Sequence, residues 1–229
     1  MGALQVQVQA VVVQLHKKFM KQALIIFVKN LQYGKVKTRL AAKVGDDKAF
    51  EIYKTLLDHT YNVVRRLNCD KYIFYSDFIE ENDIWSEDDC IKVLQTGNGL
   101  GERMLQAFSM LFVHRTSFGE KDYDRVAIIG SDCAELTSST IENAFAKLNE
   151  VDIVIGPAND GGYYLLGMKK KNEALFQNVS WSTSSVLEQT LAVCIKEGLS
   201  FYLLPVLSDI DEEQDWIRFC KQQSTLHEK

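Results

Sequence analysis

Strand-like and helix-like segments alternate along most of this chain, and that alternation limits the folds it can adopt. Residues 23–28 and 125–129 are short apolar runs rich in β-branched side chains, which is typical of buried strands. Residues 46–67 instead repeat apolar side chains at helical spacing, so that they share one side of a helix. Strands that alternate with helices predict an α/β fold with a mostly parallel central sheet flanked by helices.

The remaining segments continue this alternation. Short apolar stretches predict further strands at 71–75, 151–156, 162–168 and 201–207. Further helices are predicted after a glycine turn at 97–101, from near Thr137, from a cap at Ser182 or Thr183 to Glu197, and around Trp216.

The chain has 229 residues and no linker, internal repeat or low-complexity tract, which predicts a single domain over residues 20–229. Residues 1–19 differ, because Leu4, Val6 and Val8 alternate with glutamines. We interpret this stretch as an N-terminal extension without a catalytic part. The alternative is an edge strand or an oligomer contact.

Composition excludes several classes of partner. Lysine and arginine number 26 against 31 aspartate and glutamate residues, a formal net charge of −5, which argues against bulk binding to nucleic acid or anionic membranes. No apolar run approaches the roughly 18 residues that a membrane span needs. The five cysteines are scattered without a C-x-x-C pair, which argues against a zinc knuckle or a disulfide framework and predicts a cytoplasmic protein.

A basic loop follows the first predicted strand, at the end of the sheet where ligands bind in open α/β folds. Lys29, Lys35, Lys37 and Arg39 lie within eleven residues, around the single Gly34. Such a loop can wrap a polyanion, with the arginine binding phosphate oxygens bidentately. The alternative is a solvated basic loop. Neither a P-loop nor a dinucleotide-binding glycine fingerprint occurs in the chain.

Acidic residues follow two other predicted strands. Asp132 comes just after the strand at 125–129, where a carboxylate facing a phosphate loop lets Mg²⁺ bridge the two groups; the alternative is a turn or cap residue. Asp209 and Asp211 follow the last predicted strand, and their alternate spacing directs both carboxylates to the same side if the segment is extended.

Two glycine-bearing turns and one tryptophan complete the candidate pocket. In the turn at 97–101, Gly99 and Gly101 can bring backbone amides close to a base or ribose, or simply build a tight turn. The second turn joins two strands and offers flat aromatic faces that suit a sugar or base, but equally a core. Its candidates, with the tryptophan that precedes a predicted helix, are Asp160, Gly161, Gly162, Tyr163 and Trp181.

Nucleophile-based schemes find little support. There is no G-x-S-x-G motif, and no histidine follows a predicted strand. Cys133 would need a partner base that the sequence does not supply. Metal-assisted chemistry on a nucleotide phosphate is the remaining reading.

These motifs, taken in chain order, resemble the DUF2064 family of bacterial GT-A-fold glycosyltransferases, or nucleotide-diphospho-sugar transferases. The resemblance spans about residues 23–216. It is carried by six segments in order: 27–40, 100–104, 130–132, 160–164, 181–183 and 208–211. It implies a Rossmann-like GT-A sheet that binds a nucleotide or nucleotide-sugar with Mg²⁺ or Mn²⁺.

The resemblance also implies residue roles. Lys29, Lys37 and Arg39 fall on the phosphate loop, Asp132 falls on the metal-binding acid, and Asp209 or Asp211 supplies a second metal contact. Asp132 and Asp211 are accordingly the catalytic candidates. The prolines usual in the family are replaced here by Leu31 and Gln32, by Ala134, and by Glu212 with Glu213, which loosens loop geometry without removing a ligand.

The function expected on this basis is metal-dependent glycosyl transfer from a nucleotide-diphospho-sugar to a small acceptor. Two alternatives stay open at this point. The first loop also resembles that of 2-phospholactate guanylyltransferases, which would make the chain a nucleotidyltransferase. The other alternative is a nucleotide-binding module without turnover.

Overall fold

The computed structural model describes residues 21–86, 89–112 and 123–227, with the side chains described as far as Lys221. The predicted N-terminal extension at 1–19 therefore lies outside the described residues. Within them the chain forms one seven-stranded sheet flanked by helices, which confirms the predicted α/β fold with a mostly parallel sheet.

The strands differ in length but pair into a single sheet of order β3-β2-β1-β4-β6-β5-β7. In chain order they are β1 (Gln22–Val28), β2 (Asp70–Tyr75), β3 (Ile91–Leu94), β4 (Arg125–Ile129), β5 (Ile153–Pro157), β6 (Tyr163–Met168) and β7 (Phe201–Leu203).

Strand β6 runs antiparallel to both of its neighbours, β4 and β5, while every other described pairing is parallel. The carboxyl ends of β1, β2, β3, β4, β5 and β7 therefore lie at one edge of the sheet. The start of β6 lies at that edge too, so the short turn between β5 and β6 joins the loops that follow the parallel strands.

Helices cover both faces of the sheet. They are α1 (Thr38–Val44), α2 (Asp46–Val64), α3 (Leu100–Phe112), α4 (Ser138–Lys147), α5 (Val186–Lys196) and α6 (Glu213–His227), with a 3-10 helix at Glu173–Phe176. None of these helices, within the described residues, is long and apolar enough to cross a membrane.

The alternation of side chains along β1 shows why both faces need helices. Leu24 and Ile26 belong to the hydrophobic cluster under α2 and α4, whereas Ala23 and Ile25 belong to the cluster under α3. All four side chains are fully buried. A strand buried on both faces reads as a continuous apolar run, which is why its sequence was recognisable.

Two short elements were not predicted. Helix α1 begins within the predicted basic loop. Only Leu40 of its seven residues is buried, so no apolar stripe marks this helix in the sequence. Strand β3 is an edge strand of four residues without a fully buried side chain. Both are therefore too short and too exposed to show a periodic pattern.

Three predicted boundaries were wrong. The last strand ends at Leu203 instead of residue 207, because Pro205 has no backbone N–H to continue the ladder; Leu207 forms only an isolated bridge with Ala158. Helix α5 begins at Val186, so neither Ser182 nor Thr183 caps it. Those two residues belong to preceding turns. Helix α2 ends at Val64, a turn before the predicted residue 67.

Candidate functional site

A cavity of about 740 Å³ opens at the edge of the sheet where the parallel strands end. Loops after β1, β4 and β7 line it together with the turn before α3, the β5–β6 turn and residues 181–184. Most of the residues singled out from the sequence line this one cavity: Lys29, Lys37, Arg39, Gly99, Asp132, Asp160, Gly162, Tyr163, Trp181, Asp209 and Asp211.

Lys37 forms the charged centre of the cavity. Its Nζ lies 3.1 Å from Asp132 Oδ2 and 3.0 Å from Asp211 Oδ1, and its side chain is only 8% exposed. Burial alone would lower the pKa of Lys37, but the two carboxylates outweigh it and raise the pKa. The lysine is therefore a permanent cation bound between two acids.

The loops that carry Asp132 and Asp211 are connected through the backbone. The N–H of Ile210 donates to the carbonyl of Asp132 at 3.0 Å, and the Ile210 side chain is buried in the core. Asp209 and Asp211, on either side of Ile210, both line the cavity. Burial favours the neutral form of Asp211, but Lys37 overcomes it, so that the pKa of Asp211 is lowered.

Asp209 has the opposite environment. Its Oδ1 atom is buried and has no hydrogen-bond partner. Burial, and secondarily the negative charge of Asp132, raise the pKa of Asp209 well above its ordinary value. A buried, unsatisfied carboxyl beside a second carboxylate is a costly arrangement that an added cation would relieve.

The donors at this point fit a hard divalent cation. Mg²⁺ commonly uses one or two carboxylates and completes its coordination with substrate phosphates and waters. Asp132 and Asp209 offer such a pair, whereas nowhere in the described part of the chain do three His, Cys, Asp or Glu side chains group to hold a metal by themselves. The assignment of Asp132, with Asp209 or Asp211, as metal ligands stays a prediction, and Lys37 lies between Asp132 and Asp211.

The basic loop contributes fewer free charges than its composition indicates. Lys29 lines the cavity and is exposed, and Arg39 lines it with 80% of its side chain exposed, its Nη1 lying 3.6 Å from Asp211 Oδ2. Lys35 is exposed but does not line the cavity. Lys37 is already paired. Two cations, Lys29 and Arg39, are thus placed to meet an anionic ligand.

A tyrosine that sequence reasoning missed connects these loops. The Tyr53 hydroxyl accepts from the Lys29 N–H at 2.8 Å, donates to the Lys29 carbonyl and lies 3.1 Å from Ser131 Oγ. Burial, the largest cause, raises the pKa of Tyr53 to about 12, so the hydroxyl stays protonated. In the sequence Tyr53 was only one apolar position of the helix over 46–67, and no signal distinguished it from the core.

The other side of the cavity is aromatic. Trp181 stacks on Phe176 with ring centroids 6.2 Å apart and meets Tyr163 edge-on at 6.3 Å. The N–H of Gly162 donates to Asp160 Oδ1 at 2.8 Å, which fixes the β5–β6 turn. This side offers flat apolar faces next to the exposed carboxylate of Asp160.

Gly101 and Gly161 do not line the cavity but determine its shape. A Cβ on Gly101 would overlap the indole nitrogen of Trp181, so the glycine permits the tryptophan to pack against α3. Gly161 has a left-handed φ of 87°, and a Cβ there would overlap the Ser184 carbonyl. Their predicted role in contacting the ligand stays a prediction, and the structure adds a role in packing.

The far end of the cavity was also missed from the sequence. Gln95 follows β3 and donates to the Phe74 carbonyl at 2.8 Å, while Arg103 Nε donates to the Gly97 carbonyl at 3.1 Å. Both residues line the cavity together with the apolar Phe27 and Met104. Because β3 was not predicted, no argument placed Gln95 at the end of a strand.

Cys133 is not suited to be a nucleophile. Its side chain is buried, and burial raises the pKa of the thiol, which disfavours the reactive thiolate.

Comparison with known proteins identifies relatives that match more than half of the chain. A family model described as "Uncharacterized protein conserved in bacteria (DUF2064)" matches residues 58–183. A proposed nucleotide-diphospho-sugar transferase from Desulfovibrio desulfuricans G20 is 31% identical, covers 85% of this chain and 84% of its own, and superposes with a TM-score of 0.73. A search of curated protein sequences finds no match.

More distant structures share the fold alone. The 4-diphosphocytidyl-2C-methyl-D-erythritol synthase of Anaerococcus prevotii DSM 20548 is 11% identical, with a TM-score of 0.55 over 90% of this chain and 96% of its own. Glucosyl-3-phosphoglycerate synthase of Mycobacterium tuberculosis, solved with Mn²⁺, UDP and its product, is 10% identical, with a TM-score of 0.50 over 88% of this chain and 76% of its own. The chain thus has the GT-A-like fold of nucleotide-diphospho-sugar transferases.

Proposed function

The chain belongs to the DUF2064 family, and on that premise we propose that it is a metal-dependent transferase that moves a glycosyl group from a nucleotide-diphospho-sugar to a small acceptor. The proposal agrees with the description of the relative from Desulfovibrio desulfuricans G20. The cysteines are scattered without a C-x-x-C pair, which suits a reducing compartment, so we propose the cytoplasm as the place of action.

One observation carries the proposal. A single cavity joins the cations after β1, the carboxylates after β4 and β7, and the aromatic surface formed by Tyr163 and Trp181. A nucleotide-diphospho-sugar has three parts of matching chemistry: a base, a diphosphate and a sugar. The lining residues include a surface suited to each of these three parts.

Each end of the cavity has a proposed part of the ligand. The base lies towards Gln95 and the apolar residues beside it, the diphosphate meets Lys29 and Arg39, and the sugar stacks on Trp181 near Asp160. When bound, Mg²⁺ or Mn²⁺ between Asp132 and Asp209 would offset the charge that develops on the diphosphate leaving group.

The cations free to meet phosphate oxygens are fewer than the basic loop alone indicates. Lys37 is already paired with two acids, and Lys35 is not among the residues that line the cavity. Lys29 and Arg39 remain in the loop, and Arg103 also lines the cavity. With one divalent ion these charges suit a diphosphate or a triphosphate, so the preference for a sugar conjugate rests on the aromatic surface formed by Tyr163 and Trp181.

The experiment is a side-by-side calorimetric titration, each ligand being measured with and without Mg²⁺ or Mn²⁺. The ligands are UDP, GDP, CDP and ADP, their sugar conjugates and the matching triphosphates. We expect one nucleotide-diphospho-sugar to bind more tightly than its diphosphate and its triphosphate, and only with metal. A clear preference for a triphosphate, with pyrophosphate released on adding small phosphorylated acids, would replace the proposal by nucleotidyl transfer.

A matched pair of variants tests the metal dependence. Asp132→Asn removes a proposed metal ligand at the carboxyl end of β4. Asp124→Asn makes the same chemical change at the opposite end of that strand, where the carboxylate accepts from the Lys21 N–H at 2.8 Å. Only the first variant should lose the enhancement of nucleotide binding by metal.

A further inference from the structure

The ion triad of Lys37, Asp132 and Asp211 lies where the proposed cation would bind. Lys37 Nζ is within 3.1 Å of Asp132 Oδ2, an oxygen of the carboxylate that the proposed cation would also use. An ammonium and a divalent cation cannot both contact that oxygen without strong mutual repulsion. The two cations are therefore competitors for one position.

The position of Lys37 is built into the fold. Its backbone has a left-handed conformation, with φ 46° and ψ 47°, which residues other than glycine rarely adopt. The preceding Val36 is 3% exposed and the following Leu40 is fully buried, so the core holds the backbone on both sides. The Lys37 ammonium is thus directed at the carboxylates and not freely mobile on the surface.

We propose that Lys37 reserves the cation position, so that the site admits Mg²⁺ or Mn²⁺ only as a complex with a polyphosphate. This inference rests on the proposed function and names the form in which its ligand arrives. A polyphosphate brings oxygens that accept from the ammonium and other oxygens that coordinate the cation. A free divalent cation brings neither, and would leave the buried ammonium of Lys37 with Asp211 but without Asp132.

The charges of the triad support this inference. One ammonium already lies between two carboxylates, and Arg39 lies 3.6 Å from the second of them. A divalent ion alone would bring two further positive charges beside that ammonium, whereas a metal complexed to a diphosphate or triphosphate carries its own counter-charge.

The test titrates Mn²⁺ alone, without nucleotide, and follows the electron paramagnetic resonance signal of free aqueous Mn²⁺. We expect wild type to bind Mn²⁺ weakly and Lys37→Met to bind it at least tenfold more tightly. Lys35→Met is the matched control. It makes the same change at a lysine two residues earlier in the chain, and Lys35 does not line the cavity. It should leave the Mn²⁺ affinity of wild type unchanged.

A second measurement uses wild type only. Pyrophosphate supplies phosphate oxygens without a base or a sugar. With protein and pyrophosphate together, more Mn²⁺ should be bound than pyrophosphate alone binds without protein. If Lys37→Met does not fold at a usable temperature, this measurement and the Lys37→Gln variant decide the outcome.

Three results would overturn the inference: tight binding of Mn²⁺ alone by wild type, an equal gain of affinity in Lys35→Met, or no gain on removal of Lys37. None of these uses a nucleotide or a sugar. Failure of the proposed function would appear separately, as the absence of binding by any nucleotide-diphospho-sugar.

Discussion

Replacing Gly101 by alanine should reshape the aromatic side of the cavity. A Cβ at this position would overlap the indole nitrogen of Trp181. The tryptophan cannot simply move back, because it stacks on Phe176 and meets Tyr163 edge-on. We expect Gly101→Ala to displace Trp181 towards the cavity.

The size of the effect follows from two opposing contributions. Overpacking a buried position costs about 1–3 kcal/mol. Alanine is a better helix former than glycine by up to about 1 kcal/mol, and Gly101 lies in the first turn of α3. We therefore expect a net loss of about 1–2 kcal/mol, which for a chain of this size lowers the Tm by about 2–8 °C.

Gly99→Ala is the matched control in the same turn. No atom lies within 4 Å of a Cβ built on Gly99, and the residue does not need a left-handed backbone. Its Tm should stay the same or rise slightly, since alanine reduces the freedom of the unfolded chain.

Thermal unfolding of both variants, together with calorimetry of a nucleotide-diphospho-sugar and the corresponding diphosphate, makes the comparison. Gly101→Ala should lose affinity for the sugar conjugate more than for the diphosphate. Equal melting temperatures for the two variants, or an equal loss of affinity for both ligands, would refute the packing argument.

Four other outcomes are expected. Asp132→Asn should abolish metal-dependent nucleotide binding with little change in Tm, and retention of the metal effect in calorimetry would make Asp132 a turn residue. Tyr53→Phe should cost about 1–3 kcal/mol in denaturant unfolding, because the Lys29 N–H loses its acceptor. Arg39→Ala should weaken diphosphate binding by about 1.5–3 kcal/mol in a titration, as expected for a charge-assisted contact. A chain beginning at Met20 should melt within a few degrees of full length, as we propose that residues 20–229 form the domain; an insoluble product would contradict this.

The parts of the fold that the sequence predicts are those that show an apolar run or a periodic pattern along the chain. Strand β1 is buried on both faces and β4 is buried throughout, so each reads as an apolar run. Helix α2 shows a clear stripe, because eight of its side chains are buried. The family motifs indicated which loops after these strands carry the candidate site residues. The comparisons with known proteins confirm the family.

What sequence reasoning could not find depends on pairing in space. The phosphate role of Lys37 stays a prediction, but nothing in the chain indicates that Asp132 and Asp211, 95 and 174 positions away, would contact its ammonium. Tyr53 looked like an ordinary core position of α2, although its hydroxyl joins two loops. Gln95 follows an edge strand that has no periodic pattern. These roles arise only once the sheet order is known.

The antiparallel direction of β6 makes the aromatic side of the cavity replaceable by itself. Because β5 and β6 form a hairpin, their turn can be substituted without rebuilding a crossover helix. Its tip is fastened elsewhere, since the Gly161 carbonyl accepts from the Leu187 N–H at 2.9 Å and Gly161 packs against Ser184. A transplant between relatives would therefore need residues 158–163 and 181–187 together. Under the proposed function, exchanging these two segments would change the preference for a sugar or an acceptor while the half of the cavity that carries the basic loop stays the same.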